Sequence, residues 1–219
     1  SDQRHWFPSA TAAWTFSNLF NPGDWLTTGR VRAAYGVTGT EPTVYLTDAF
    51  YTSGFLTSTY GDQLIASQGG QGGLLTGVRR EQNDLKPEKQ YEFEAGLDMG
   101  ILNDRADLSL TYYDRKNTDV IFDVPLPFST GFSVIAENGG IITHKGWEAQ
   151  LTVRPIRSAK WDWDIGLMYA RNKSLVEELR GADAVDLPTG GFFTGNLVSA
   201  VQGHPMPVFR SFDFARCRY

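Results

Sequence analysis

From Tyr91 to Ile101 the chain places Tyr91, Phe93, Ala95, Leu97, Met99 and Ile101 at every second position, with Glu92, Glu94, Gly96, Asp98 and Gly100 between them. Side chains alternate across a strand but wind around a helix, so this spacing predicts an extended segment with one apolar and one polar face. Trp161 to Asn172 repeats the pattern, with Trp161, Trp163, Ile165, Leu167 and Tyr169 on one parity. In Trp147 to Val153, Trp147, Ala149, Leu151 and Val153 oppose Glu148, Gln150 and Thr152. Weaker copies predict strands over Ser9 to Ser17, Gly29 to Val37 and Asp107 to Asp114. Further strands are predicted over Thr43 to Tyr51, Asp119 to Leu126, Phe132 to Glu137, Gly195 to Val201 and Val208 to Phe214.

Turn residues punctuate these runs: NPGD at Asn21 to Asp24, NDR at Asn103 to Arg105 and RSAK at Arg157 to Lys160,. Strands joined by short turns make an antiparallel meander of hairpins. The expected fold class is therefore all-β with little helix, in a single domain over residues 1–219. Long connections are expected over about 52–89 and 173–194. SLVEEL, Ser174 to Leu179, has the spacing of one or two helical turns,. The glycine-rich GGQGG, Gly69 to Gly73, lacks the Gly-Lys-Ser/Thr ending of a phosphate loop and opens no helical pattern, so it reads as a loop tip,.

Composition narrows the function classes. Twenty Lys and Arg stand against 25 Asp and Glu among 219 residues, a formal net charge of −5. That balance gives no electrostatic footprint for nucleic acid. The lone Cys217 has no partner for an internal disulfide or a C-x-x-C metal pair,. No apolar run reaches the roughly 18 residues of a transmembrane helix, and no charged-then-apolar opening marks a signal peptide.

Candidate chemistry is sparse. Glu92 and Glu94 share a strand face about 6.5 to 7 Å apart, within range of an inverting glycosidase pair. They point in parallel rather than flanking a substrate, so a solvated or lumenal acidic face is the better reading. Asp162 and Asp164 carry oxygen ligands of the kind calcium takes, without an EF-hand or nonapeptide repeat around them,. His5, His144 and His204 stand in no ligand spacing, and no nucleophilic triad motif occurs,. These readings predict a non-enzyme with no cofactor, no metal and no catalytic residue. Phe192, Phe193, Phe209, Phe212 and Phe214 are candidate partner-binding anchors, because aromatics dominate interface cores; core or lipid-facing roles are the alternative,.

A sheet with one apolar face belongs either to a sandwich core or to the lipid face of an outer-membrane barrel. Trp161, Trp163 and Tyr91 begin predicted strands while Tyr112, Tyr113 and Tyr169 end them, as interfacial aromatic girdles do,. In order along the chain, FPSATAAWTF (Phe7 to Phe16), GRVRAAYGVTGT (Gly29 to Thr40), LKPEKQYEFEAGLDMGILNDRADLSLTYYDRKNTDVI (Leu85 to Ile121), STGF (Ser129 to Phe132), NGGIITHKGWEAQLTVRPI (Asn138 to Ile156) and VQGHPMPVFRSFDF (Val201 to Phe214) resemble the barrel of the RagA/SusC-type TonB-linked outer-membrane receptors. The resemblance implies a strip of a large plugged barrel that imports glycans, peptides or other nutrients. It also implies the TonB system and a surface lipoprotein as partners, and a bacterial cell-envelope location, outer membrane or periplasm-facing.

Such barrels have about 22 strands, whereas at roughly 10 residues per strand this chain is expected to supply about eight to eleven, with no plug or TonB-contacting segment. Its ending departs from the family, since Phe212, Phe214, Arg216 and Arg218 share one parity. The favoured expectation is a partial or truncated barrel sheet acting as a non-enzymatic structural subunit, docked with other proteins in a membrane-associated complex. The alternative is a segment of a working nutrient importer; a secreted carbohydrate-binding sandwich ranks third.

Overall fold

The structure is a computed structural model that describes residues 5–20, 25–43, 46–53, 55–57, 63–65, 67–68, 71–72, 74–180, 182–187 and 196–211. Six long strands form an antiparallel meander in chain order: β1 (Ser9–Thr15), β2 (Leu26–Thr40), β3 (Glu88–Ile101), β4 (Ala106–Pro125), β5 (Val134–Arg157) and β6 (Asp162–Leu179). A separate three-stranded sheet follows, made of β7 (Ala184–Asp186), β8 (Asn196–Val201) and β9 (Val208–Ser211). Among the described residues β1 and β6 each have one ladder neighbour, so the meander is an open sheet.

One end of the meander has tight turns, and their chemistry is local. Between β3 and β4 the backbone of Leu102, Asn103 and Asp104 runs through positive φ of 57°, 55° and 58°. Asn and Asp tolerate this region because short polar side chains bond locally. Ser158 closes the β5 to β6 turn, its hydroxyl donating to the Trp161 carbonyl and accepting from the Trp161 amide. The β1 to β2 connection contains a single helical turn, Ser17–Phe20; NPGD lies outside the described residues.

At the opposite end the connections are long and the strands outrun their predicted lengths. Of the two strands predicted here, Asp119 to Pro125 is the continuation of β4 and Val134 to Glu137 is absorbed into β5, leaving Leu126, Phe132 and Ser133 in the connection. Ser174 to Leu179 is strand rather than helix. A register shift between Ile141 and Ile142 pairs Ile142 with Val176 but Ile141 with Glu178 and Gly140 with Leu179. The extra residue of this bulge carries Val176 and Leu179, three apart, to one side. That spacing imitates a helix.

Of Thr43 to Tyr51, Leu46 to Asp48 form a turn and bend and only Tyr51 begins a strand, pairing through Tyr51–Ser53 with Leu74–Thr76, while Val44 and Tyr45 lie outside the described residues. Proline at position 42 and the Thr43–Leu46 turn bond interrupt extension there,. In the same region Ser67 and Gln68 pair with Gly72 and Gln71, so part of GGQGG forms a minimal hairpin; Gly69, Gly70 and Gly73 lie outside the described residues.

The buried apolar core sits at this long-connection end. Phe122, Ile142, Val176, Leu179, Val185 and Ala200 form one cluster, with Val120, Ala182 and Met206 packed on it. The small sheet is pinned to β6 by main-chain bonds: the Val176 amide donates to the His204 carbonyl at 3.0 Å, and the Gly203 amide donates to the Val176 carbonyl at 2.8 Å.

Candidate functional site

Register turns the sequence alternation into two continuous faces, because residues directly opposite one another share a face. On the first, rows run across all six strands: Trp14, Val31, Leu97, Leu110, Ala149 and Tyr169 in one, and Ala12, Ala33, Ala95, Tyr112, Trp147 and Arg171 in the next. Toward the tight turns follow Met99, Leu108, Leu151 and Leu167, then Ile101, Ala106, Val153 and Ile165. Among the described residues most of this face is left uncovered, Ala106 being buried. Trp14 is 55% exposed, Trp147 56%, Leu167 60% and Tyr169 59%, in an environment where aliphatic and aromatic side chains normally seek burial,.

The apolar band has limits. From Trp161, just before β6, to Tyr169 the chain advances about 27 Å at ~3.4 Å per residue, which a barrel tilt of about 40° projects to about 21 Å, near the roughly 25 Å of an outer-membrane apolar band. Exposed Trp25, Trp161 and Trp163 stand near the tight turns. Tyr35, Phe93, Tyr112, Trp147 and Tyr169 stand toward the other edge, with the Tyr112 and Trp147 rings 4.7 Å apart. Tyr112 and Tyr169 thus mark where the apolar parity stops, well inside their strands rather than at strand ends. Tyr113 belongs to the other face, where its ring lies over Gly146.

The second face is polar and satisfied by cross-strand ion pairs. Arg32 donates to the Glu94 carboxylate and to the Thr111 hydroxyl at 2.5 Å, and stands 3.5 Å from Asp98, which accepts from Ser109 at 2.7 Å. Arg115 grips Glu92 with two nitrogens at 2.9 and 3.2 Å. Arg154 spans Asp107 at 2.6 Å and Asp164 at 3.5 Å. Arg32, Glu92, Glu94, Thr111, Tyr113, Arg115, His144, Glu148 and Asn172 together line an open concavity. The partners of Glu92 and Glu94 come from β2 and β4. Each of these carboxylates is therefore engaged by an arginine from a neighbouring strand, and the face presents fixed charges and hydrogen-bonding groups to the concavity.

Beyond the band, side chains tie the long connections to the strand ends. Arg79 grips Asp123 with both terminal nitrogens, a pairing that holds its guanidinium above its ordinary pKa. Asn138 accepts from the Lys86 amide at 2.7 Å and donates to the carbonyls of Lys86 and Asp119, each at 2.8 Å. The Glu88 carboxylate accepts from the Ile121 amide at 2.8 Å, close to where the β3–β4 ladder stops at Thr118.

Of the five phenylalanines expected to anchor a partner, Phe209 lies on β9 and is 79% exposed; Phe192, Phe193, Phe212 and Phe214 fall outside the described residues. Asp164 pairs with Arg154 and Asp162 stands opposite Arg157, while His144 lines the polar face and His204 sits in the turn between β8 and β9.

An antiparallel sheet with an exposed apolar band edged by aromatics, backed by a charged and hydrogen-bonded face, has the pattern of an outer-membrane barrel wall. The family described as TonB dependent receptor-like, beta-barrel matches residues 1–211, and the chain belongs to it. TonB-dependent receptor P26 of Formosa agariphila is 30% identical over 210 residues, 95% of this chain and 20% of that protein. TonB-dependent receptor SusC of Bacteroides thetaiotaomicron is 25% identical over 187 residues, covering 82% of this chain and 18% of SusC. Among solved structures, that of the RagAB peptide transporter superposes with a TM-score of 0.76 at 25% identity, over 93% of this chain and 21% of the matched chain. The chain spans about a fifth of the length of these relatives.

Proposed function

We propose that this chain forms a section of the wall of an outer-membrane importer for oligomeric nutrients, peptide or glycan, driven by the TonB system. The observation that carries this reading is the division of one sheet into an exposed apolar band of bilayer height and an ion-paired polar face. Lipid meets the first and a wet lumen meets the second. The long connections then face outward and the tight turns face the periplasm, as in other barrels of this kind. Likeness to the RagAB peptide transporter and to SusC favours an importer over an enzyme. Exposed Phe209, on the small sheet at the long-connection end, is the residue assigned to contact with a surface lipoprotein partner.

The competing reading, a structural subunit docked in a larger complex, draws on the open sheet edges. It requires another protein to cover the apolar face. Nitroxides at Leu167→Cys and Gln150→Cys, in a Cys217→Ser background within native envelopes, distinguish the two. The importer reading expects oxygen to relax the probe at 167 more strongly than a water-soluble nickel chelate does, with the reverse at 150. Shielding of position 167 from both agents supports the subunit instead.

A further inference from the structure

Along β5 and β6, outward of Trp147 and Tyr169, the apolar face ends in a patch of cations. In register Asp114 faces Lys145 and Lys145 faces Lys173, while Arg171 stands opposite Trp147, two residues beyond Tyr169 on its own strand. Lys145 has a carboxylate, its Nζ lying 2.8 Å from Asp114; in the next row out, Lys116 lies 3.4 Å from Glu177. Arg171 and Lys173 are exposed and, among the described residues, have no ion-pair partner. Like charges directly opposite one another destabilise a sheet. The Lys145–Lys173 pair carries that cost, and Asp114 is engaged with one member only.

Placement supplies the missing anion. The aromatic belt marks the bilayer interface, so the next positions outward along β5 and β6 lie at headgroup depth on the long-connection side. We propose that Arg171, Lys173 and Lys145 bind the phosphate of a phosphorylated outer-leaflet lipid whose acyl chains lie along Leu167, Tyr169 and Trp147. The proposal rests on the apolar face meeting lipid. Arg171 and Lys173 are about 6.8 Å apart along the strand, and Lys145 is about 5 Å from Lys173 across the ladder, so three flexible side chains converge on one phosphate. Arginine takes phosphate oxygens in pairs and the lysines add point charges. A soluble phosphate satisfies the cations but leaves the adjoining Leu167 to Tyr169 strip uncovered, which favours the lipid.

The test is native mass spectrometry of the receptor containing this chain, extracted in neutral detergent and titrated with monophosphoryl lipid A or with its dephosphorylated counterpart. The phosphorylated lipid is expected to bind about tenfold to thirtyfold more tightly, the margin that two surface cations supply. Arg171→Gln with Lys173→Gln removes the difference while leaving dephosphorylated binding intact, which also shows that the variant is folded. Lys160→Gln, at the tight-turn end, preserves it. Equal affinity of the native protein for both lipids overturns this proposal alone. Failure of both lipids to bind overturns it together with the lipid-facing reading. Displacement by inorganic phosphate at concentrations that spare dephosphorylated binding reassigns the patch to a soluble anion.

Discussion

Individual residues show best how register selects chemistry. Gly146 must be glycine, because a Cβ there would meet the Tyr113 ring and stand 2.8 Å from the Arg171 carbonyl oxygen, which the ladder holds in place. Gly146→Ala is therefore expected to cost about 1 to 3 kcal/mol by overpacking. Gly166, on the same face, has no atom within 4 Å of a built Cβ. Gly166→Ala is expected to be neutral or to stabilise by up to about 1 kcal/mol, since glycine is costly inside a strand. Urea midpoints of the two variants in one detergent check both signs. Arg32→Gln leaves Glu94 and Asp98 without their shared cation; with side chains about one-third exposed, the expected loss is only about 1 kcal/mol. The acidity of this face was legible in Glu92 and Glu94 from spacing alone. Their partners were not, because Arg32 and Arg115 reach them only once β2 and β4 are aligned with β3, and alignment is a long-range property.

At the level of elements, the alternating runs were the readable part. Tyr91 to Ile101, Trp147 to Val153 and Trp161 to Asn172 all lie in strands, save that Trp161 itself belongs to the preceding turn. What resisted reading was the upper third of the sheet, where bulges break the period of two. Asp119, at φ 56°, sits where the β4–β5 register shifts between Asn117 and Val120, and this separates one strand into two apparent ones. The bulge in β6 gave Ser174 to Leu179 its helical look. Two measurements test the extended assignment. The Val176 amide, bonded to the His204 carbonyl, is expected to exchange as slowly as its neighbours in β6. Val176→Ala empties a fully buried position, and is expected to cost about 2 kcal/mol and to speed proteolysis within 180–208 by loosening the small sheet.

For the molecule as a whole, the sequence carried the fold class and the two-faced design, and the recognisable motifs carried the family. The core under the small sheet was hidden, because it joins Phe122, Ile142 and Val176 from three strands to Val185, from a segment that looked like loop, and to Ala200, from a predicted strand with no visible partner. The two faces also dictate how the chain behaves outside its setting. An exposed band bearing Trp14, Val31, Phe93, Trp147, Leu167 and Tyr169 far exceeds the scattered apolar residues that soluble monomers tolerate. Among the described residues both outer strands have a ladder neighbour on one side only, with β6 engaged on its other side at Val176 by His204 and Gly203; the remaining edge groups are a template for association. The 219-residue chain produced by itself is accordingly expected to associate and sediment in plain buffer. A neutral detergent is expected to hold it in solution by covering the band, leaving assembly through strand edges as the remaining route to larger species. Sedimentation velocity with and without detergent separates the contributions. A monodisperse monomer in detergent-free buffer would mean that the apolar rows pack against the chain itself, and neither the lipid-facing wall nor the docked subunit would survive that result.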